Sequence, residues 1–222
     1  MTGEQVIQAI KLALDKYSAS TSAVIGPAFL DEELCAFANQ AMLETICTKF
    51  TGNNQLQQGF ESSVKRISDF SKLIVNKTHQ LSKSISNIFT TGNITDSNNC
   101  LFIVSIKIMS KTGNSCIPVE LIDRVSATKF LKTPTNYPWI PTPKAVIGGF
   151  TNDTGNFTIN VYTDPDFDEG DGAMLFVEYV MQPSLLTEDN LTDDVFDNAF
   201  SDNILYEIIN KAALFALDNT ES

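Results

Sequence analysis

The sequence predicts an α+β fold: N-terminal helices and a C-terminal helix form a helical layer, and an antiparallel β-rich region is inserted between them. Three observations lead there. Apolar residues recur at helical spacing near both ends of the chain. Between Leu101 and Val180 the apolar residues instead gather into short β-branched and aromatic runs punctuated by Gly, Pro and Asn. The small, polar segment "LSKSISNIFTTGNITDSNN" (Leu81 to Asn99) separates the two patterns. We expect a helical part over 1–92, a β-rich part with a Pro-rich crossing over 93–185, and an acidic connection with a closing helix over 186–222 that packs back on the first part.

The elements follow in order. Thr2 with Gln5 three residues on forms a capping box, and Val6, Ile7, Ile10, Ala13 and Leu14 continue at helical spacing to near Tyr17. Asp31, Glu32 and Glu33 open a second helix where its dipole favours acids, with Leu34, Phe37, Ala38, Ala41, Met42 and Ile46 as its apolar stripe. Phe60, Val64, Ile67, Phe70 and Ile74 then predict a third helix from about Gln57 to about Gln80. "LFIVSIKIM", the turn "SKTGN" and "SCIPVELI" predict a hairpin, and "DRVSATKFL" one or two helical turns. Four prolines in "KTPTNYPWIPTPK" exclude helix and predict an extended crossing. "AVIGGF" and "FTINVY" form a second hairpin, "AMLFVEYV" a further strand stopped by Pro183, and Ser201 with Asp202 opens a last helix bearing Ile204, Leu205, Ile208, Ile209, Ala212, Phe215 and Ala216.

A chain of 222 residues is long enough to bury a core of its own. No stretch has the apolar length of a membrane span, and an unexported, soluble chain is expected. Cys35 and Cys47, twelve apart on one helix, lie roughly 18 Å from each other and cannot bridge, while Cys100 and Cys116 flank a hairpin out of register. The net charge is −12 and unevenly spread: 14 basic and 11 acidic residues precede Ala145 (+3), and one basic and 16 acidic residues follow (−15). Capture of a nucleic acid backbone by the acidic part is disfavoured, since that affinity comes from Lys and Arg. Head-to-tail association of copies suits such asymmetry, as does a solvated surface that aids solubility.

The most concentrated candidate is "TDPDFDEGDG", Thr163 to Gly172, between two strands. Asp164, Asp166 and Asp168 alternate like the first three ligands of a calcium-binding EF-hand, but Glu169 and Leu175 stand where that loop needs Gly and a bidentate Glu. No metal is therefore assigned, and the stretch with Asp164, Asp166, Asp168, Glu169 and Asp171 is taken as an interaction loop. Tyr137 and Trp139 in the Pro-rich crossing offer either a stacking platform for a sugar or Pro-rich partner, or a cover for the chain's own core. The single histidine, His79, has no orienting partner or nucleophile in sight and gains from a helix C-terminus without chemistry. Phosphate-cradling, zinc-protease and serine-hydrolase motifs are absent from the sequence. We expect no enzyme and no cofactor.

The order of parts resembles that of the ring-forming neck proteins of tailed bacteriophages. "DEELCAFANQAMLETICTKF", "GFESSVKRISDFSKLIV" and "VELIDRVSATKFLKTPTNYPWIPTPKAVI" look most like segments of ring proteins of short-tailed crAss-like phages. The resemblance implies a virion structural protein, assembled in the host cytoplasm, that repeats around the portal axis, as a dodecamer, and joins the portal to the tail. Its partners would be copies of itself, the portal and other neck or tail proteins. Genome DNA would pass through the channel without specific binding, and no membrane is involved. A competing expectation is a β-rich adhesion or carbohydrate-binding module using Tyr137 and Trp139, with calcium in the acidic loop. A carboxylate hydrolase is a third.

Overall fold

The computed structural model describes residues 1–20, 29–51, 70–85, 88–91, 100–109, 116–132, 143–150, 157–163, 174–194, 196 and 199–219. They form an α+β fold of two compact units. The helical unit comprises Met1–Leu73 and Pro183–Ser222, and the β unit, Ile74–Gln182, is inserted between those segments in the sequence.

In the helical unit, α1 (Gly3–Ser20) begins with the expected box: Thr2 N donates to Gln5 Oε1 at 3.0 Å and Gln5 N to Thr2 Oγ1 at 3.4 Å. Two more amides of the first turn find carbonyls in the returning chain, Gly3 N on Asp193 O at 3.2 Å and Glu4 N on Leu191 O at 2.9 Å. That approach needs glycine, because a Cβ on Gly3 would lie 2.8 Å from Leu191 Cα. Helix α2 (Asp31–Thr51) buries Leu34, Ala38, Ala41, Met42 and Ile46, whereas Phe37 is half-buried and meets Phe29 edge-on at 5.8 Å. The C-terminal helix, Asp202–Asp218 (α4 in chain order), packs on both α1 and α2 through Ile204, Leu205, Ile208, Ile209 and three alanines. Full burial of each of those isoleucines and leucines stabilises the unit by about 2 kcal/mol. Two ion pairs cross between α2 and α4, Lys49 to Glu207 at 2.5 Å and Lys211 to Glu44 at 2.9 Å. With both carboxylates about half exposed, these pairs add little energy. The Asn39 amide clamps the returning chain: its Nδ2 donates to Leu186 O and its Oδ1 accepts from Leu186 N, both at 2.8 Å.

The β unit contains β1 (Ile74–Ile85), β2 (Ile88–Thr91), β3 (Cys100–Met109), β4 (Cys116–Pro118), β5 (Glu120–Leu121), β6 (Lys144–Phe150), β7 (Phe157–Tyr162) and β8 (Met174–Met181), with α3 (Arg124–Lys132) after β5. Their order in the sheet is β4-β3-β8-β1-β2-β7-β6-β5. The terminal strands β4 and β5 are one continuous segment interrupted only at Val119: residues 116–118 pair antiparallel with β3, and residues 120–121 pair parallel with β6. Backbone bonds carry the closure across, from Val119 N to Ile106 O at 2.9 Å, Glu120 N to Pro143 O at 3.0 Å and Ile122 N to Ala145 O at 2.9 Å. The sheet is thereby closed into a small barrel. β1 serves both halves, its first part pairing with β8 and its last with β2. Leu81, Ile106, Ile108, Val119, Ala145, Ile159, Val161, Leu175, Val177 and Tyr179, drawn from β1, β3, β6, β7, β8 and the link between β4 and β5, fill the interior.

Several expectations are corrected here. The third helix does not extend to Gln80: Phe70 lies in a turn, Ser71–Leu73 is a short 3-10 turn, and β1 begins at Ile74. Its earlier part, residues 57–69, lies outside the described residues. His79 is accordingly on a strand, and the β unit starts well inside the segment expected to be helical. The hairpin, the short helix and the two β runs after it fall where expected. All four cysteines are free: Cys116 sits opposite Met109 and Cys100 opposite Met181, and burial pushes the Cys100 thiol up to about 11.

Candidate functional site

None of the seven sequence-predicted interaction residues, Asp164, Asp166, Asp168, Glu169, Asp171, Tyr137 and Trp139, lies among the described residues, and neither does the weak calcium pattern. Their anchors do. Lys144 pairs with Tyr162 and Ile88 also pairs with Tyr162, so the start of β6, the end of β7 and the start of β2 share one rim of the barrel. Met174, opposite Gln80 and Met109, begins β8 on that side. Thr163 and Met174 flank the acidic stretch and Pro143 closes the Pro-rich one, so both candidates are tethered to a common rim. β7 and β8, which flank the acidic stretch in the sequence, are not paired with each other but separated in the sheet by β2 and β1.

Two grooves of the described surface lie beside α3. Asp123 starts the helix: its Oδ1 accepts from Ser126 N and its Oδ2 from Ser126 Oγ, both at 2.7 Å. Those two bonds, the hydroxyl's first, hold the Asp123 carboxyl below the usual carboxylate range. Buried Ala127 and Val146 lie on α3 and β6, which pack together, and the small alanine permits a close approach. Two open grooves of about 320 and 470 Å³ flank the contact and share Arg124, Val146, Ile147 and Gly148. Arg124 Nε donates to Ile147 O at 3.2 Å, where a register shift in β6 alters the ladder. Val125 and Leu121 stand out from this surface, 66% and 44% exposed. Helix α3 carries Arg124, Lys129 and Lys132 and no acid. The combination suits a partner that is partly apolar and anionic. In the sequence that signal lies in "RVSATKFLK", a basic segment without acids.

Two further polar features lie on the β unit. On the outer face of β8 and β3, Ser105 Oγ donates to Glu178, and Lys107 Nζ lies 4.0 Å from the same carboxylate; this polar trio borders a groove of about 310 Å³ with Met109 and Phe176. His79 shares the inward side of β1 with Val75, Lys77 and Leu81, and sits opposite Leu175. Its Nε2 is buried without a hydrogen-bond partner among the described residues. Burial, and secondarily the Lys77 charge, lowers its pKa below the ordinary 6.5. Among the described residues no group of three or more His, Cys, Asp and Glu side chains is placed to hold a metal ion.

The His79 environment has a measurable consequence. A lowered pKa means that, below pH 6.5, the unfolded chain takes up a proton the folded chain resists. The contribution of the neutral ring is intact above pH 6.5 and is lost as pH falls through the window beneath it. The unfolding midpoint of the wild type should therefore fall more between pH 7 and pH 5 than that of His79→Gln, compared by thermal melts in matched buffers. Parallel pH profiles would show that the ring titrates as it does in the unfolded chain.

No protein-family model matches the chain, and no curated protein matches it.

Proposed function

We propose that the chain is a ring-forming structural subunit of a phage neck or tail, joining the portal to the tail around a channel through which genome DNA passes. The observation that carries this reading is how charge divides between the units. Met1–Leu73 with Pro183–Ser222 holds 7 basic and 17 acidic residues, a net of −10. Ile74–Gln182 holds 8 basic and 10 acidic residues, and five of those acids fall within 164–171, so the rest of the β unit is +3. One molecule thus presents unlike surfaces on separate compact bodies, which supports a heterologous contact between copies. A heterologous contact that closes makes a ring. The acidic surplus also favours a wall that repels phosphates over one that grips them.

The experiment is a mass measurement by light scattering with negative-stain images, on the purified chain alone and mixed with portal and neck proteins. Closed rings of many copies are the expected result. A chain that stays single in every mixture, or that occurs as one isolated copy on the native particle, overturns the reading.

A further inference from the structure

We infer that the α3 surface of the barrel docks the outward face of α4 of the next copy, so that these two patches form the contact between neighbours; this assignment rests on the ring reading above. Each patch has an apolar pair, and the charges on the two helices are of opposite sign: α3 itself bears only cations, with the Asp123 carboxylate at its start tied into the cap by Ser126, while both ends of α4 are acidic. On the barrel side Val125 and Leu121 project beside the two grooves, with Arg124 and Lys129 exposed on the same helix. On the other side Tyr206 and Leu214, eight residues and therefore just over two turns apart, project from α4, 61% and 45% exposed. Asp202 and Asp218 stand exposed at the two ends of that helix.

The choice of α4 follows from what its other side chains do. Its buried stripe is used against α1 and α2, and its Glu207 and Lys211 are engaged by Lys49 and Glu44 of α2. Tyr206 and Leu214 remain outside those contacts, on the helix that lies centrally in its unit. Helix α2 is also acidic, but none of its large apolar side chains is prominently exposed among the described residues. An aromatic and a leucine entering apolar grooves, ringed by opposite charges, would give the contact a dry centre and a polar rim. The charges set the pairing, since like charges brought together disfavour the wrong faces.

The test uses two full-length variants. Arg124→Glu with Lys129→Glu makes the α3 patch acidic; Asp202→Lys with Asp218→Lys makes the α4 patch basic. In each variant alone the two patches carry the same sign, and self-association, measured by sedimentation under conditions where the wild type associates, should weaken by about tenfold or more. Mixed in equal amounts, the variants present opposite signs to one another and should recover assemblies in which the two alternate. Recovery only on mixing also shows that both variants are folded. Two variants that associate like the wild type, or a mixture that stays dissociated although each variant melts like the wild type, overturn the assignment of these faces while the ring reading stands. A wild-type chain that never self-associates, alone or mixed with portal and neck proteins, overturns both.

Discussion

Phe70→Ala should lower the stability of the helical unit by about 3–5 kcal/mol, measured by urea unfolding followed with far-ultraviolet circular dichroism. Phe70 is fully buried and is the hub of an aromatic cluster: its ring lies 5.3 Å from Phe50 at the end of α2 and 6.2 Å, edge-on, from Phe200 just before α4. Phe196 extends the cluster from Phe200 at 6.1 Å. These rings come from the end of α2, the turn after residue 69 and the connection before α4, so a cavity here loosens three segments that meet far from each other in sequence. Against the roughly 5–15 kcal/mol that a domain has in total, the loss is large. A change below about 1 kcal/mol would mean that the neighbouring rings collapse into the space, or that Phe70 is not in that core.

Phe70 also marks where sequence reading and structure part. The stripe Phe60, Val64, Ile67, Phe70 and Ile74 has helical spacing, and continuing it past residue 70 led to a helix over what is strand β1. The period-2 signal that should have stopped it was masked by two side chains. Val75, Lys77, His79 and Leu81 share the inward side of β1 while Asn76, Thr78 and Gln80 are exposed, so a cation and an imidazole sit where alternation calls for apolar residues. The α1, α2 and α4 patterns were legible because caps, acids and apolar stripe agreed at each. Barrel closure was not legible, since it depends on two very short strands in one segment pairing with β3 on one side and β6 on the other. Nothing local in "CIPVEL" specifies such partners.

Charge was legible in amount but not in place. Cutting the chain at Lys144 gave +3 and −15, which located the acid in the last third. The fold regroups it, because Pro183–Ser222 belongs with the N-terminal helices and brings nine acids against one lysine to them. The acidic body is the helical unit, and the β unit is weakly basic apart from residues 164–171. For association between copies, that regrouping matters more than the total, because screening confines these interactions to within about 10 Å of the surface at 0.1 M salt.

Gly148→Val should destabilise the barrel by about 3 kcal/mol through overpacking and backbone displacement. Gly148 is buried within the register shift of β6, and a Cβ there would land on the Thr158 hydroxyl and 2.9 Å from the Thr158 carbonyl oxygen. The hydroxyl can rotate away; the carbonyl belongs to β7 and can move only with its strand. Removing the hydroxyl with Thr158→Ala should thus recover part of the loss and no more, a result that a denaturant double-mutant cycle reads directly. The same glycine lines both grooves beside α3, next to the carbonyl of Ile147 that holds Arg124. Gly148→Ala is the milder probe: if it leaves stability unchanged or raises it, as replacing an unconstrained glycine does by about 0.4–1 kcal/mol, then β6 and β7 do not approach this closely. If it destabilises as expected, the floor of the α3 surface is set by the packing of β6 on β7.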